Sequence, residues 1–183
     1  MDVKFYRTYT GTLGSFIKKV PSDLMNYTPS GKLKGVVVPS GCGKSVMASK
    51  YSNLIDCDKL IQKHKDFKWY DELLQAKAQG LANTAWWRLN MIRDKMIQDM
   101  IEPEDDRILL VHGRSTLLYC KIAYLCSLVI QPNIRIEQMR NRLGNAVDVI
   151  NENSTNVKKF DHCVIFDNHQ KLSDFILEMY IKC

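Results

Sequence analysis

The stretch Val36-Val37-Val38-Pro39-Ser40-Gly41-Cys42-Gly43-Lys44-Ser45 constrains this chain more than any other. It joins an apolar, β-branched run to a glycine-rich turn and then to helix-compatible residues, Val46-Met47-Ala48-Ser49-Lys50-Tyr51. A buried strand that turns on glycines into a helix start aims successive N–H groups at one concavity, backed by the positive end of the helix dipole. Such a nest, built from Pro39, Ser40, Gly41, Cys42, Gly43, Lys44, Ser45 and Val46, fits a polyphosphate. Lys44 is placed to reach the terminal phosphates, and the Ser45 hydroxyl to hold a magnesium ion. The spacing G-x-x-x-x-G-K-[ST] is met at Gly43-Lys44-Ser45, with Val38 where the first glycine usually stands.

A chain of 183 residues is long enough for one domain with a real core. Its content, 45% hydrophobic and 25% charged, is that of an ordinary soluble protein, and no apolar run is long enough to span a bilayer. The start, Met1-Asp2-Val3-Lys4, lacks the basic-then-apolar layout of a secretion signal. The six cysteines form no C-x-x-C pair and no zinc spacing, so reduced thiols and a cytoplasmic location are expected. A net charge of +6 favours polyanions; nucleotides and RNA both qualify.

Residues 1–32 are taken as an appended segment and 33–183 as the main domain. Val3 to Tyr9 has strand-like composition, and Phe5, Phe16, Ile17 and Leu24 favour packing on the core over a solvated arm. Leu33 to Val38 reads as the first core strand, buried on both faces. Leu54-Ile55 makes the second and delivers Asp56-Cys57-Asp58 at its C-terminal end, where open α/β sheets place their ligands. Arg107 to Val111 is the third strand and runs into His112-Gly113-Arg114. Ala123 to Ile130 is the fourth and Cys163 to Phe166 the fifth. Helices are expected over 59–65, over 66–79 ending at Gly80, over 134–143 and over 172–181. A longer helix is capped by Thr84 and carries a core stripe of Ala85, Leu89, Ile92, Met96 and Met100. Trp86 and Trp87 are adjacent, so at least one leaves that stripe. Packing accounts for both, and an aromatic wall for a base or ring is the sharper alternative.

Strand, glycine-rich loop, helix and so on through five strands is the order of the small P-loop kinases. Val37 to Ser45 resembles the loop of nucleoside monophosphate kinases, guanylate kinase in particular. Phe160-Asp161-His162-Cys163-Val164-Ile165-Phe166-Asp167-Asn168 looks like the last strand of that family. Ile55-Asp56-Cys57-Asp58-Lys59-Leu60-Ile61 resembles the aspartate pair of shikimate-kinase-like and polynucleotide-kinase-like enzymes. The resemblance covers residues 33–183. It implies a three-layer α/β/α P-loop NTPase fold whose five-stranded parallel sheet runs in the order 2-3-1-4-5. It implies ATP or another NTP with Mg2+ as cofactors, acceptor-side helices over 59–101, and a lid over 133–156 carrying Arg135, Arg140 and Arg142. Asp167, Asn168 and His169 fall where relatives hold the nucleotide base; a plain turn is the alternative. The chain also departs from the pattern. Many relatives carry a carboxylate at the end of the third strand, where this sequence reads Val111-His112-Gly113-Arg114. The substrate-binding residues of guanylate kinase find no clear counterparts between Lys59 and Ile101.

Phosphoryl transfer needs charge neutralised around the moving group and an oriented nucleophile. Lys44 and a magnesium on Ser45 supply the first. One of Asp56 or Asp58 is available to hold that metal through water, Asp56 being the assigned ligand, and the other to accept the acceptor hydroxyl's proton. Residues one apart on an extended strand end face opposite sides, so the two carboxylates are expected to differ in role. Arg114 suits an anionic acceptor, and Arg140 a closing contact over the phosphates. His112 is either a polar cap on the strand end or a substrate contact. Cys42, beside a helix start, is expected to favour its thiolate, with a bystander role as the alternative.

The functional expectation is an ATP-dependent kinase that moves the γ-phosphoryl group to a small molecule, a nucleotide or the 5′-hydroxyl of a nucleic acid. The alternative is an NTP-binding or NTPase module acting as a switch or assembly part, with no acceptor. Val38, the missing third-strand carboxylate and the short lid favour that alternative; the aspartate pair argues against it. The expected partners are a nucleotide and its acceptor, with nucleic acid among the candidates and no membrane. The sequence leaves the oligomeric state open.

Overall fold

The computed structural model describes residues 6–8, 27–131, 133–137 and 163–182. In chain order the elements are β1 (Tyr6–Thr8), β2 (Lys34–Val37), α1 (Lys44–Lys50), β3 (Leu54–Asp56), α2 (Cys57–Ile61), α3 (Phe67–Ala78), α4 (Trp86–Met100), β4 (Ile108–Val111), α5 (Arg114–Cys120), β5 (Ala123–Ile130), β6 (Cys163–Phe166) and α6 (His169–Lys182). Residues 133–137 are also helical. The described strands form one parallel sheet in the order β1-β6-β5-β2-β4-β3. Counted from β2, the core strands stand 2-3-1-4-5, with helices on both faces. This is the three-layer architecture of P-loop NTPases. A sixth strand, β1, adds to the expected five: Tyr6 lies opposite Cys163 and Thr8 opposite Ile165.

Parallel strands need long crossovers, and these place helices on both faces of the sheet. Both sides of each strand must therefore be apolar. Alternate residues of β2 and β4 divide between the two layers, as a period of two requires. Val36 and Leu110 face a core shared with Met47 of α1 and with Leu172, Phe175 and Ile176 of α6. Val37, Leu109 and Val111 face the opposite core, with Ile61, Leu89, Met96, Ile97 and Leu117 from α2, α4 and α5. Each such side chain, removed from water, contributes about 1.5–3 kcal/mol. Gly35 lets α5 settle on β2, because a Cβ there would lie 2.2 Å from Leu117 Cδ2.

Residues ahead of β2 also touch the core domain. The Tyr27 hydroxyl donates to the Ile122 carbonyl. The Ser30 N–H reaches the Lys121 carbonyl at 2.9 Å, and the Lys32 N–H the Pro103 carbonyl at 2.7 Å. Pro103 follows α4, so the C-terminal end of α4 lies beside the start of β2. The helix therefore runs antiparallel to the strands, and its first turn, at Trp86, stands at the sheet's C-terminal edge.

Several local expectations are corrected. The helix after β3 begins at Cys57 and ends at Ile61, instead of spanning 59–65. It starts early because the Asp56 carboxylate caps it, accepting the Asp58 N–H at 3.0 Å. Asp58 therefore sits in a helical turn, and strand alternation does not set its direction. Ala85, not Thr84, occupies the cap position of α4, and it supplies no side-chain bond. The buried stripe of α4 is Leu89, Met96 and Ile97, joined by Asp94, while Ala85 is exposed. Trp86 and Trp87 leave the core altogether, at 51% and 58% exposure. Gly80 closes α3 as expected, in the left-handed region at φ 74°. The last helix starts at His169, where the Asn168 side chain accepts the Lys171 N–H at 2.9 Å.

Candidate active site

The C-terminal ends of β2, β3 and β4 deliver three short segments to one place: the loop 38–43, Asp56-Cys57-Asp58, and His112. The loop owes its shape to glycines at positive φ, 79° at Gly41 and 87° at Gly43. A side chain at Gly43 would also meet the His169 ring at 3.0 Å. The first bond of α1 runs from the Met47 N–H to the Gly43 carbonyl at 3.0 Å. The N–H groups of Lys44, Ser45 and Val46 precede that bond and have no carbonyl partner within the helix. Val38 replaces the customary first glycine without distorting the strand end. Its side chain is fully buried, and its N–H donates to the Val111 carbonyl at 2.8 Å.

Not every loop residue offers a donor. Pro39 has no N–H, and the Cys42 N–H is spent on the Pro39 carbonyl at 3.2 Å. The Cys42 thiol turns into the core, where it accepts the Ile130 N–H at 3.4 Å. Burial pushes this thiol up, against the pull of Arg135 and Lys44, so the expected thiolate is not favoured. The dipole of a helix start does not offset the loss of water around a sulfur that is 1% exposed.

Lys44, Asp58 and His112 form one cluster. The Lys44 ammonium lies 3.1 Å from His112 Nδ1 and 3.7 Å from Asp58 Oδ2. The Ser40 hydroxyl shares the same Nδ1, also at 3.1 Å. On the other side of the ring, Nε2 is 2.8 Å from both Asp58 oxygens. The tautomer that satisfies every partner carries its proton on Nε2, donates it to Asp58, and presents the Nδ1 lone pair to the two donors. Burial, then the charge of Lys44, lowers the His112 pKa against the opposing pull of Asp58, so the ring is neutral. Burial by itself raises the Asp58 carboxyl. The hydrogen bond from His112, with the charges of Lys44 and Arg93, outweighs it and holds Asp58 well below the usual carboxylate range. An ionised carboxylate, a neutral imidazole and an ammonium thus meet at the end of the loop.

Asp56 differs in kind. It is 2% exposed and caps α2 through Oδ1. Its other oxygen, Oδ2, is buried and accepts no hydrogen bond among the described residues. A hard cation suits such an oxygen, and Ser45 at the exposed start of α1 supplies a second oxygen donor of the type Mg2+ takes. Cys57, Asp58 and His112 also bring ligand atoms within 4.8 Å of one another. That set is less suited to a cation: burial drives the Cys57 thiol far above its ordinary value, and the Lys44 ammonium stands 3.1 Å from His112 and 3.7 Å from Asp58.

A second layer supports the cluster. Arg93 of α4 donates to Asp94 at 3.1 Å and to the Thr116 hydroxyl at 3.3 Å, while that hydroxyl donates to Asp94 at 2.7 Å. Arg135, in the helical residues after β5, is fully buried and donates to the Ser40 carbonyl through Nε at 3.2 Å and Nη2 at 3.0 Å. His169 Nε2 lies 3.2 Å from the Gly41 carbonyl. The loop is therefore held from the side where a base was expected to bind. Arg114 opens α5 with its guanidinium over the Tyr124 ring at 5.0 Å. Arg140 and Arg142 lie outside the described residues, as does the expected lid beyond residue 137.

His112 and Arg135 are the residues that sequence reasoning undervalued. A signal for His112 was present: it directly follows a buried strand at the same sheet edge that singled out the aspartates. Arg135 carried no such signal, because a helical arginine is ordinarily solvated.

No protein-family model matches the sequence, and neither does any curated protein. Among solved structures, a gluconokinase from Sinorhizobium meliloti 1021 is similar, with a TM-score of 0.47 and 12% identity over 85% of this chain and 94% of that one. A likeness that distant carries no argument about activity or substrate. The architecture rests on the strand order itself. No described helix is long and apolar enough to cross a membrane.

Proposed function

We propose that this chain is an ATP-dependent phosphotransferase that moves the γ-phosphoryl group to a hydroxyl or phosphate of a small molecule, a nucleotide or a 5′-hydroxyl nucleic acid. The observation that carries this reading is the bond between Asp58 and His112 beside the loop lysine. A module that only binds a nucleotide needs Lys44 and the loop. It has no use for an ionised carboxylate hydrogen-bonded to a neutral imidazole on the acceptor side.

The loop N–H groups of Lys44, Ser45 and Val46 would take the phosphates, with Lys44 neutralising the terminal one. Mg2+, when bound by Ser45 and Asp56, supplies further neutralisation of phosphate charge. Asp58 stays ionised at any physiological pH, so it is a poor proton store; it holds the His112 ring through Nε2 and stabilises a proton taken up at Nδ1. His112 is the better base of the pair. Burial and, after it, the charge of Lys44 hold its pKa down, and a nucleotide that draws the ammonium toward phosphate lifts the second of these. The proton released by an acceptor hydroxyl would then pass to His112 Nδ1, the nitrogen that the Lys44 ammonium leaves, while the hydroxyl oxygen bonds to phosphorus and the bond to the ADP oxygen breaks. Arg114 and Arg140 remain candidates for gripping an anionic acceptor and the phosphates.

The reading as an NTPase module draws on one observation, the histidine standing where relatives keep a carboxylate. The deciding experiment is transfer of radiolabel from ATP to monophosphates, polyols and 5′-hydroxyl oligonucleotides. Label appearing in an acceptor supports the kinase. Label appearing only as inorganic phosphate refutes it.

A further inference from the structure

Trp86 and Trp87 open α4 at the ligand edge of the sheet, and more than half of each is in water. Exposing two adjacent indoles forfeits burial that the chain could have used, as it does with Leu89 and Ile97 on the same helix. Each indole carries a cation on its face. Lys77 Nζ, from α3, lies 5.9 Å from the Trp86 ring centre, and Arg88 Cζ lies 5.2 Å from that of Trp87. Met91, one turn on from Trp87, is also exposed at 51%. From Leu73 to Arg93 the sequence contains no aspartate or glutamate, while Lys77, Arg88 and Arg93 fall within it. An aromatic surface in a stretch free of carboxylates complements a polyanion with planar faces.

Its position ties it to the active site. Arg93 is near enough to Asp58 to help hold its carboxyl down. The tryptophans begin seven residues earlier on the same helix, roughly 10 Å further along its axis. That distance is comparable to one or two nucleotides of an extended strand.

We propose that the first turn of α4 is a stacking platform for single-stranded nucleic acid, with unpaired bases on Trp86 and Trp87 and phosphates on Lys77 and Arg88. Resting on the kinase reading, it makes a strand with a 5′-hydroxyl the acceptor whose proton His112 takes. A free nucleotide is too short to need the platform. A duplex hides its base faces, so the surface prefers single strands.

The test is anisotropy of a fluorescein-labelled oligo-dT of about fifteen nucleotides, with the hairpin duplex of matched length as competitor. The full chain binds the single strand, and the duplex competes weakly. W86A and W87A each weaken binding roughly tenfold or more, as loss of a stacked base does. R88Q lowers the slope of affinity against salt by about one phosphate contact, roughly 0.7. The tryptophans are exposed, so melting curves should confirm that both variants fold. Failure of the wild type to bind, or undiminished binding in W86A/W87A, overturns the platform. So does a concentration-dependent dimer that the double variant abolishes, which would assign the surface to a second copy of this chain. Binding of a fluorescent ATP analogue reports the loop separately. A chain that binds the oligonucleotide but transfers no label to its 5′ end keeps the platform and refutes the 5′-hydroxyl as acceptor, whereas label released only as inorganic phosphate refutes the kinase reading.

Discussion

Replacing Asp58 with asparagine separates charge from shape at the proposed acceptor site. Both carboxylate oxygens lie 2.8 Å from His112 Nε2, so the amide oxygen of the introduced side chain can still accept that proton. Lost is the negative charge facing Lys44 at 3.7 Å and stabilising a proton on His112. Asp58 is partly exposed, and an ion pair of that kind is worth about 1 kcal/mol or less. For a chain of this size that is a Tm change of about 4 °C or less. The chemical step depends on the charge much more. A positioned carboxylate–imidazole pair accounts for at least roughly a hundredfold in rate, equal to about 2.7 kcal/mol of barrier. Asp58→Asn should therefore cut label transfer by at least about a hundredfold, with ATP affinity kept or raised as Lys44 loses its counter-charge. The pH dependence has a definite sign. The folded carboxyl lies below its unfolded value of about 3.9, so its stabilising contribution is present above that value and is lost as pH falls through the folded pKa. The variant lacks that acid limb. The assay is transfer measured beside calorimetric melting and ATP titration. Full turnover in Asp58→Asn, with or without a loss of Tm, refutes the reasoning and makes the cluster structural.

Lys44→Ala should abolish magnesium-dependent ATP binding while leaving the circular dichroism spectrum unchanged; unaltered affinity by calorimetry in a folded variant sinks the phosphate site. Asp56→Ala removes the cap of α2 and should cost about 1 kcal/mol in denaturant unfolding. A larger drop in the magnesium dependence of ATP binding than in stability is expected if Oδ2 serves a cation. Arg135→Ala deletes two charge-assisted bonds to the Ser40 carbonyl and should lower stability by about 2–3 kcal/mol and weaken ATP binding with it; retained ATP affinity would show that the loop holds its shape alone. Gly35→Ala drives a methyl into Leu117 and should cost about 1–3 kcal/mol, read as a lower denaturant midpoint.

The strand–loop–helix at 36–51 was fully legible, because its signals are local. Glycines permit positive φ, β-branched residues favour a buried strand, and a helix start leaves N–H groups free. Alternation of buried strands with helices narrowed the sheet to a few right-handed parallel arrangements, and the resemblance to P-loop kinases supplied the order among them. Asp56 and Asp58 were found by their place at a strand end, but their separate duties were not. The alternation argument assumed an extended strand, and the Asp56 cap turns the chain into a helix one residue later. Tertiary structure alone decided the rest. Val111 and Asp56 end neighbouring strands, and that pairing, set by residues far apart in sequence, swings His112 against Asp58 and Lys44. Burial settled the charge states, taking the Cys42 thiol away from its thiolate and keeping His112 neutral. Packing also settled which face of α4 is wet. Periodicity gives a helix its apolar stripe, but only the neighbours α2, α3 and α5 determine where that stripe ends, and they leave both tryptophans in solvent.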